Sequence, residues 1–251
     1  MIKTFHIGPH KTASTYLQHH IFPNIKGVEY LDDGCITGFY KRGVKFSEEG
    51  WVFSNEAALG HPYSVTQPPK YEQFLYFCKG IGVTRLIAVR RSYQSWVRSV
   101  WFQSLNEYGV TGFSDWYAKN EANLESWRML YSDLEFLACD RGFELLIVNL
   151  SSLQEDPTQV AKEIAEFCGG SFEGKIKHGR LNESAYGRFF ISCYLSLNRS
   201  IGRIQILRKL LPMLRLSPRA IMQKNIIGRV LSMLSKSETQ MPNDLAYKEW
   251  L

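Results

Sequence analysis

Residues 8–15 place a lysine and three hydroxyl side chains directly after a short apolar run. The run at residues 3–7, KTFHI, predicts a β-strand, and GPHKTAST then leads into a stretch with helical periodicity. Backbone N–H groups, the Lys11 ammonium and the hydroxyls can converge on one point, which suits a phosphate or sulfate. The hydroxyl residues are Thr12, Ser14 and Thr15. Taken alone, the same residues also fit a helix start with an exposed lysine.

The loop differs from the phosphate loop of nucleotide kinases, G-x-x-x-x-G-K-[ST]. Lys11 follows Gly8 by three residues, and His10 stands where the second glycine would be. The strand predicted at 143–149 ends in Asn149, so no acidic Mg²⁺ ligand is evident there. These differences weaken the interpretation as an ATP-dependent phosphotransferase. That activity stays the alternative enzymatic function.

A second basic group follows another predicted strand. In IAVRRSYQSWVRSVWFQ, residues 87–103, two arginines end an apolar run and an amphipathic helix begins. A guanidinium offers a planar fork of donors to phosphate, and a serine hydroxyl on the following helix can bind the same oxygens. Arg91 and Ser99 are eight residues apart, while Arg90 is the alternative ligand.

The first stretch, GPHKTASTYLQ, resembles the 5′-phosphosulfate loop of sulfotransferases, whose usual form is G-x-x-K-[ST]-[GA]-[ST]-[ST]-x-L. It is most similar to the bacterial and carbohydrate-type branches. The second stretch resembles the 3′-phosphate element of that family, an arginine with a serine eight residues later. The resemblance implies 3′-phosphoadenosine 5′-phosphosulfate (PAPS) as cosubstrate. It assigns cosubstrate binding to Gly8, Lys11, Thr12, Ala13, Ser14, Thr15, Arg91 with Ser99, and Arg90 if the turn has one extra residue.

The resemblance also implies catalytic residues. WVFSNEAALG, residues 51–60, is similar to the S-x-E element of carbohydrate-type sulfotransferases and puts Glu56 just past a predicted strand. Glu56 would remove the acceptor's proton, and Lys11 would neutralise charge on the bridging oxygen. A glutamate after a strand also fits the first turn of a helix. Because other branches use histidine as the base, the alternatives are His10, His6 and His61.

A late segment, RLNESAYGRFF at residues 180–190, resembles the closing segment of the family. Its R-x-N-x-S pattern implies that Arg180 and Asn182 reach the nucleotide, although Asn182 or Ser184 could equally cap a helix. The resemblance covers about residues 2–200, but only three short stretches within it are specific. No metal is required by the implied reaction.

Strand-like runs alternate with helix-like stretches along the chain, which predicts an α/β protein with a parallel sheet covered on both faces. The resemblance implies a three-layer α/β/α arrangement with P-loop NTPase-like topology in a single domain, residues 1–251. Strands are predicted near 3–7, 28–31, 51–54, 83–89 and 143–149. Helices are predicted near 14–22, 70–79, 93–106, 119–141, 157–168 and 185–199.

The segment at residues 184–237 contains ten basic residues and no acidic residue, so it makes the chain basic at a net charge of +6. Within it, residues 219–236 form an amphipathic pattern typical of a packed helix with a solvated face. The alternative is docking on an anionic membrane or a polyanionic acceptor. Aromatic residues are sparse here, so we expect no nucleic-acid partner.

Five widely spaced cysteines and the lack of an apolar leader predict a cytoplasmic protein. If the protein binds a membrane surface peripherally, we expect the basic segment to make the contact. The sequence therefore predicts a PAPS-dependent sulfotransferase that acts on a hydroxyl or amine of a glycan, glycolipid or small molecule. The alternatives are the phosphotransferase and a non-catalytic protein that binds anionic membranes or polyanions.

Overall fold

The computed structural model describes residues 2–9, 12–31, 50–60, 69–106, 112–174 and 176. Five strands of this part of the chain form one sheet in the order β2-β3-β1-β4-β5, with every neighbouring pair parallel. They are β1 Lys3–Ile7, β2 Glu29–Leu31, β3 Trp51–Asn55, β4 Arg85–Arg90 and β5 Glu144–Asn149. The predicted α/β class with a parallel sheet is confirmed.

The helices connect and cover these strands. They are α1 Ser14–Tyr16, α2 Tyr71–Gly80, α3 Tyr93–Asn106, α4 Phe113–Arg128, α5 Leu130–Arg141, α6 Leu150–Glu155 and α7 Pro157–Phe167. Helix α1 continues as a π-helical turn at Leu17–Ile21 and a 3₁₀ turn at Phe22–Asn24.

Both faces of the sheet are buried, which explains why its strands read as continuous apolar runs. On one face, Val52, Ile87 and Val148 belong to a core cluster with residues of the helical segment after β1 and of α7. On the other face, the Phe5 ring meets Phe53 and Phe74 edge-on, with centroids 4.7 and 5.0 Å away.

Two helix predictions were wrong in detail. The stretch at 119–141 is not one helix, because α4 ends at Arg128 and α5 begins at Leu130. The sequence has no glycine or proline at this break, so its helical periodicity continues through it. The predicted helices also omitted the short helix α6, which lies between β5 and the helix predicted at 157–168.

The chain separates into two compact units. The first comprises Met1–Val97 and Ala122–Leu181 and contains the sheet, and the second comprises Arg98–Glu121 and Asn182–Leu251. In the second unit, Trp101 packs edge-on against Phe113 with ring centroids 5.4 Å apart. The single domain stays a prediction, and the basic segment at 184–237 lies outside the described residues.

Within the described ranges, no helix combines the length and apolar character needed to cross a membrane. The cytoplasmic location stays a prediction.

Candidate functional site

The central strand β1 brings three candidate elements to one edge of the sheet. It pairs in parallel with β3 on one side and β4 on the other, with Ile7 opposite both Asn55 and Ala88. The chain runs from β1 to the edge strand β2, returns to β3 beside β1, and then crosses to the other side of β1 for β4 and β5. Ligands of open α/β sheets bind outside the carboxyl ends of the strands at such a switch in strand order.

The loop after β1 begins with two buried residues, Gly8 and Pro9. The Thr12 hydroxyl is buried and donates to the carbonyl oxygen of Pro9 at 2.8 Å, which closes the loop on itself. A Cβ on Gly8 would lie only 3.0 Å from Thr12 Oγ1, so glycine allows this closure. Lys11 and His10 lie outside the described residues, and their roles stay predictions.

The helix after the loop begins at a strained residue. Ala13 has φ of 63°, the left-handed conformation that glycine adopts without penalty, and its carbonyl accepts hydrogen bonds from the N–H groups of Tyr16 and Leu17. The Ser14 hydroxyl that follows is buried and has no hydrogen-bond partner among the described residues. Thr15 is exposed. A buried hydroxyl without a partner is uncommon in folded proteins, so this position of the loop is a candidate for contact with a ligand.

Glu56 lies at the same edge, directly after β3. It is half-buried, and it follows Asn55, the register partner of Ile7. The Asn55 side chain accepts from the N–H of Ala57 at 2.7 Å, so the chain turns immediately after the strand. Glu56 therefore leaves β3 at the carboxyl edge of the sheet, one residue after the register partner of Ile7, and its role as the base stays a prediction.

The two arginines after β4 have different surroundings. Arg90 pairs with the Glu135 carboxylate at 2.8 Å and lies over the Tyr131 ring at 5.1 Å. Arg91 donates through Nε to the Ser95 hydroxyl at 2.9 Å, and burial lowers the pKa of its guanidinium. Arg91 is therefore the more desolvated of the two guanidinium groups, while Arg90 shares its charge with a carboxylate near the surface.

Tyr131 fixes the backbone from which both arginines project. Its hydroxyl donates to the carbonyl oxygen of Val89 at 2.7 Å and accepts a backbone hydrogen bond from Arg91. Burial raises the pKa of this hydroxyl above its ordinary value, so the phenol stays protonated and keeps donating. The end of β4 is therefore held rigid where the arginines leave it.

A cleft of about 550 Å³ connects these elements within the first unit. Its size is typical of small-molecule sites. Pro9 of the loop and both arginines line it, together with residues of the α3, α4 and α5 ends and of the segment after β5. The lining residues are Pro9, Arg90, Arg91, Ser92, Tyr93, Ser95, Trp96, Trp127, Arg128, Leu130, Tyr131, Asn149, Leu150, Ser151 and Gln154.

Aromatic rings form part of the cleft wall. The rings of Trp96 and Trp127 are 6.1 Å apart and inclined by 32°. The Tyr93 hydroxyl donates to Glu125 at 3.2 Å, and the Arg128 guanidinium lies 5.5 Å from the centre of the Tyr93 ring. Apolar ring faces beside buried and exposed cations suit a ligand that has both a flat ring system and negative charge.

The sequence did not identify several of these residues. Ser95 lies four residues after Arg91 and contacts it, whereas the spacing of eight pointed to Ser99. Ser99 is half-buried on α3 in the second unit, and it is not among the described residues that line the cleft. The sequence could have indicated Ser95, because it lies one helical turn after Arg91 at the start of a predicted helix and such residues are neighbours. His61, Arg180 and Asn182 lie outside the described residues.

His6, one of the alternative bases, is completely buried on β1. Burial lowers the pKa of its ring to about 4, and the carboxylate of Glu56 acts in the opposite direction. The ring is therefore neutral near pH 7, and its burial excludes direct contact with an acceptor in this conformation.

The structure is similar to a solved structure of a sulfotransferase from Alicyclobacillus acidocaldarius, with a TM-score of 0.51 and 10% sequence identity. The match covers 82% of this chain and 95% of that one. The sulfotransferase-like fold implied by the sequence motifs is thereby confirmed. No family model and no curated protein sequence matches the chain.

We predict that Ala13→Gly leaves the free energy of unfolding unchanged or raises it by up to about 1 kcal/mol. Relief of the left-handed conformation offsets the greater chain entropy of unfolded glycine. Ala13→Val should lower it by about 2 kcal/mol, because a β-branched residue tolerates positive φ poorly. Urea denaturation of the three proteins measures the difference. Equal stability of the valine and glycine variants would contradict the strained backbone at this position.

Acidification should destabilise the protein through His6. The ring takes up a proton in the unfolded chain near pH 6.5 but only near pH 4 in the folded one, so the unfolded state binds more protons between these values. Stability should fall by about 3 kcal/mol from pH 6.5 to pH 4 through this group alone.

The matched measurement is the pH dependence of urea unfolding for the native protein and for His6→Gln. The difference in slope between the two curves isolates the contribution of His6 from those of the other titrating groups. Parallel curves over this pH range would show that the folded ring has an ordinary pKa.

Proposed function

We propose that the protein is a sulfotransferase that uses PAPS. The observation that carries the proposal is one cleft lined by Pro9, from the loop after β1, and by Arg90 and Arg91, from the end of the adjacent strand β4. A ligand with two phosphate-like ends and a flat ring system fits this arrangement. The similarity in fold to a known sulfotransferase supports the proposal.

The residues present fit PAPS, which when bound supplies an activated sulfuryl group with a nucleotide as its leaving group. The loop offers the buried Ser14 hydroxyl that has no partner among the described residues, together with the backbone closed by Thr12. These groups would hold the phosphosulfate end. The Lys11 ammonium, in the same loop, would stabilise negative charge on the leaving oxygen.

Arg91 would hold the 3′-phosphate. Its guanidinium is partly desolvated and is oriented by Ser95, so little reorganisation is needed when a phosphate binds. Arg90 lines the same cleft but is paired with Glu135. We assign the 3′-phosphate to Arg91 because its guanidinium is desolvated and oriented by Ser95, and Arg90 adds positive potential.

The ring faces of Tyr93 and Trp96 would contact the adenosine. Both lie on the first turns of α3, immediately after Arg91, and both line the cleft. A nucleobase gains stability by stacking on such side chains, and the effect is largely independent of charge. Neighbouring residues at the start of α3 would thus bind both the base and the 3′-phosphate of the nucleotide.

Glu56 would remove the proton from the acceptor. It follows Asn55, the register partner of Ile7, so it leaves the sheet at the same edge as the loop, where a bound hydroxyl would come within its reach. The acceptor is a hydroxyl or amine of a glycan, glycolipid or small molecule. We also propose that the basic segment at 184–237 contacts an anionic membrane, which would make the membrane a peripheral partner of the enzyme.

We predict that Arg91→Ala weakens binding of 3′,5′-adenosine bisphosphate by roughly 10- to 150-fold, as loss of hydrogen bonds to a charged group implies. The same change should alter binding of 5′-adenosine monophosphate by less than about threefold, because that ligand has no 3′-phosphate. Arg90→Ala is the matched control and should weaken either ligand by less than about fivefold. Calorimetric titration of each variant with both nucleotides measures these effects.

Three results would overturn the assignment. They are no binding of the bisphosphate by the native protein, equal affinity for it in Arg91→Ala, and tighter binding of ATP with Mg²⁺, which would favour the phosphotransferase. The non-catalytic alternative predicts binding to anionic vesicles that survives Lys11→Ala, with no transfer of sulfate to any acceptor.

We also predict that Glu56→Gln lowers sulfate transfer roughly 100-fold or more, as expected for loss of a general base. Affinity for 3′,5′-adenosine bisphosphate should stay within about twofold of the native value, since the amide is isosteric and the residue lies away from Arg91. Incubation of ³⁵S-labelled PAPS with extracts of the source cells measures transfer and also identifies the labelled acceptor. If the variant transferred sulfate at the native rate, Glu56 would not be the general base, and a histidine would be the remaining candidate.

A further inference from the structure

Trp127 combines burial with a position on the wall of the cleft. It lies in the last turn of α4, its side chain is only 3% exposed, and its ring neighbours that of Trp96. Both tryptophans also line the cleft. The Trp127 side chain is therefore shielded from bulk solvent and yet borders the space available to a ligand.

The indole N–H of Trp127 has no acceptor among the described residues, although its Nε1 atom is buried. The ring of Trp96 does not serve as one. An N–H directed at the face of a neighbouring ring requires planes that are nearly perpendicular, and these two planes are inclined by only 32°. Because a buried donor without a partner is unfavourable and uncommon, the free N–H indicates an acceptor that the ligand supplies.

The inclination of the rings indicates which kind of acceptor fits. The rings of Tyr93 and Trp127 lie on either side of Trp96 in a row, 6.0 and 6.1 Å from it and inclined by 33° and 32°. A base stacked parallel to Trp96 is thus inclined to the Trp127 plane by the same 32°. The indole N–H and the lone pairs of purine ring nitrogens both lie in the planes of their rings. A ring nitrogen can therefore approach this N–H nearly in line.

We propose that Trp127 recognises the base of the nucleotide: its indole N–H donates to a ring nitrogen of the purine that stacks on Trp96. The inference rests on the proposed function, because it takes the nucleotide of that function as the ligand. It extends the proposal from stacking, which accepts every base, to selection of a base that has an acceptor nitrogen at one position.

Calorimetric titration with 5′-adenosine monophosphate and its 1-deaza, 3-deaza and 7-deaza analogues tests the inference. Each analogue replaces one ring nitrogen of adenine by C–H, which cannot accept the hydrogen bond. We expect one analogue to bind the native protein about 3- to 10-fold more weakly than the parent nucleotide, as loss of one neutral hydrogen bond implies. That difference should vanish in Trp127→Phe, which keeps an aromatic ring without the N–H.

Trp51→Phe is the matched control, because Trp51 is also buried but begins β3, at the edge of the sheet opposite the cleft. The deaza difference should persist in this variant. A second measurement needs no variant: in ¹H–¹⁵N spectra of the native protein, the Trp127 indole resonance should move downfield on saturation with 5′-adenosine monophosphate. Ribose 5-phosphate, which has no base, should leave that resonance in place.

Three results would overturn the inference. They are equal affinity of the native protein for all four nucleotides, a deaza difference that persists in Trp127→Phe, and an indole resonance that does not respond to the nucleotide. Each of them leaves the proposed function standing, which the bisphosphate titration tests separately. Failure of the native protein to bind any adenine nucleotide would overturn both.

Discussion

The parallel pairing of β1 with β3 and with β4 is the constraint on which the candidate site depends. Because all three strands run in the same direction, the loop after β1, Glu56 after β3 and Arg91 after β4 meet at one edge. A slip of one residue in either pairing would turn the inward side chains to the opposite face. The buried apolar runs on both faces of the sheet oppose such a slip, so the core that stabilises the fold also aligns the site.

Within this frame, electrostatics distinguishes two arginines that are adjacent in sequence. Arg90 shares its charge with Glu135 near the surface, where an ion pair adds little to stability. Arg91 is buried further and is oriented by a serine, at a cost in desolvation that a bound phosphate would offset. A site built in this way binds an anion more strongly than a surface arginine can, because its donors are already aligned.

Most of the sheet could be predicted from the sequence, because each central strand is a short apolar run followed by a change in composition. The predicted strand at 83–89 is found at Arg85–Arg90, and the one at 51–54 is found at Trp51–Asn55. The break at Met129 was missed, since the sequence marks it with neither glycine nor proline, and the short helix α6 was missed as well. The contact between Arg91 and Ser95 depends on side-chain geometry that spacing alone does not determine.

The polar residues inside the sheet show another limit of the sequence. His6 and Ser54 are far apart in the chain and become partners only through the register of β1 with β3. His6 could be considered a base from the sequence, but its complete burial becomes evident only in the folded structure.

A crystal structure of the protein with 3′,5′-adenosine bisphosphate tests the central claim most directly, because it shows where each phosphate binds. The account predicts the 5′-phosphate in the loop at residues 8–15, the 3′-phosphate on the Arg91 guanidinium, and the base against Tyr93 and Trp96. A nucleotide bound elsewhere, or one whose 3′-phosphate contacts neither Arg91 nor Ser95, would contradict it.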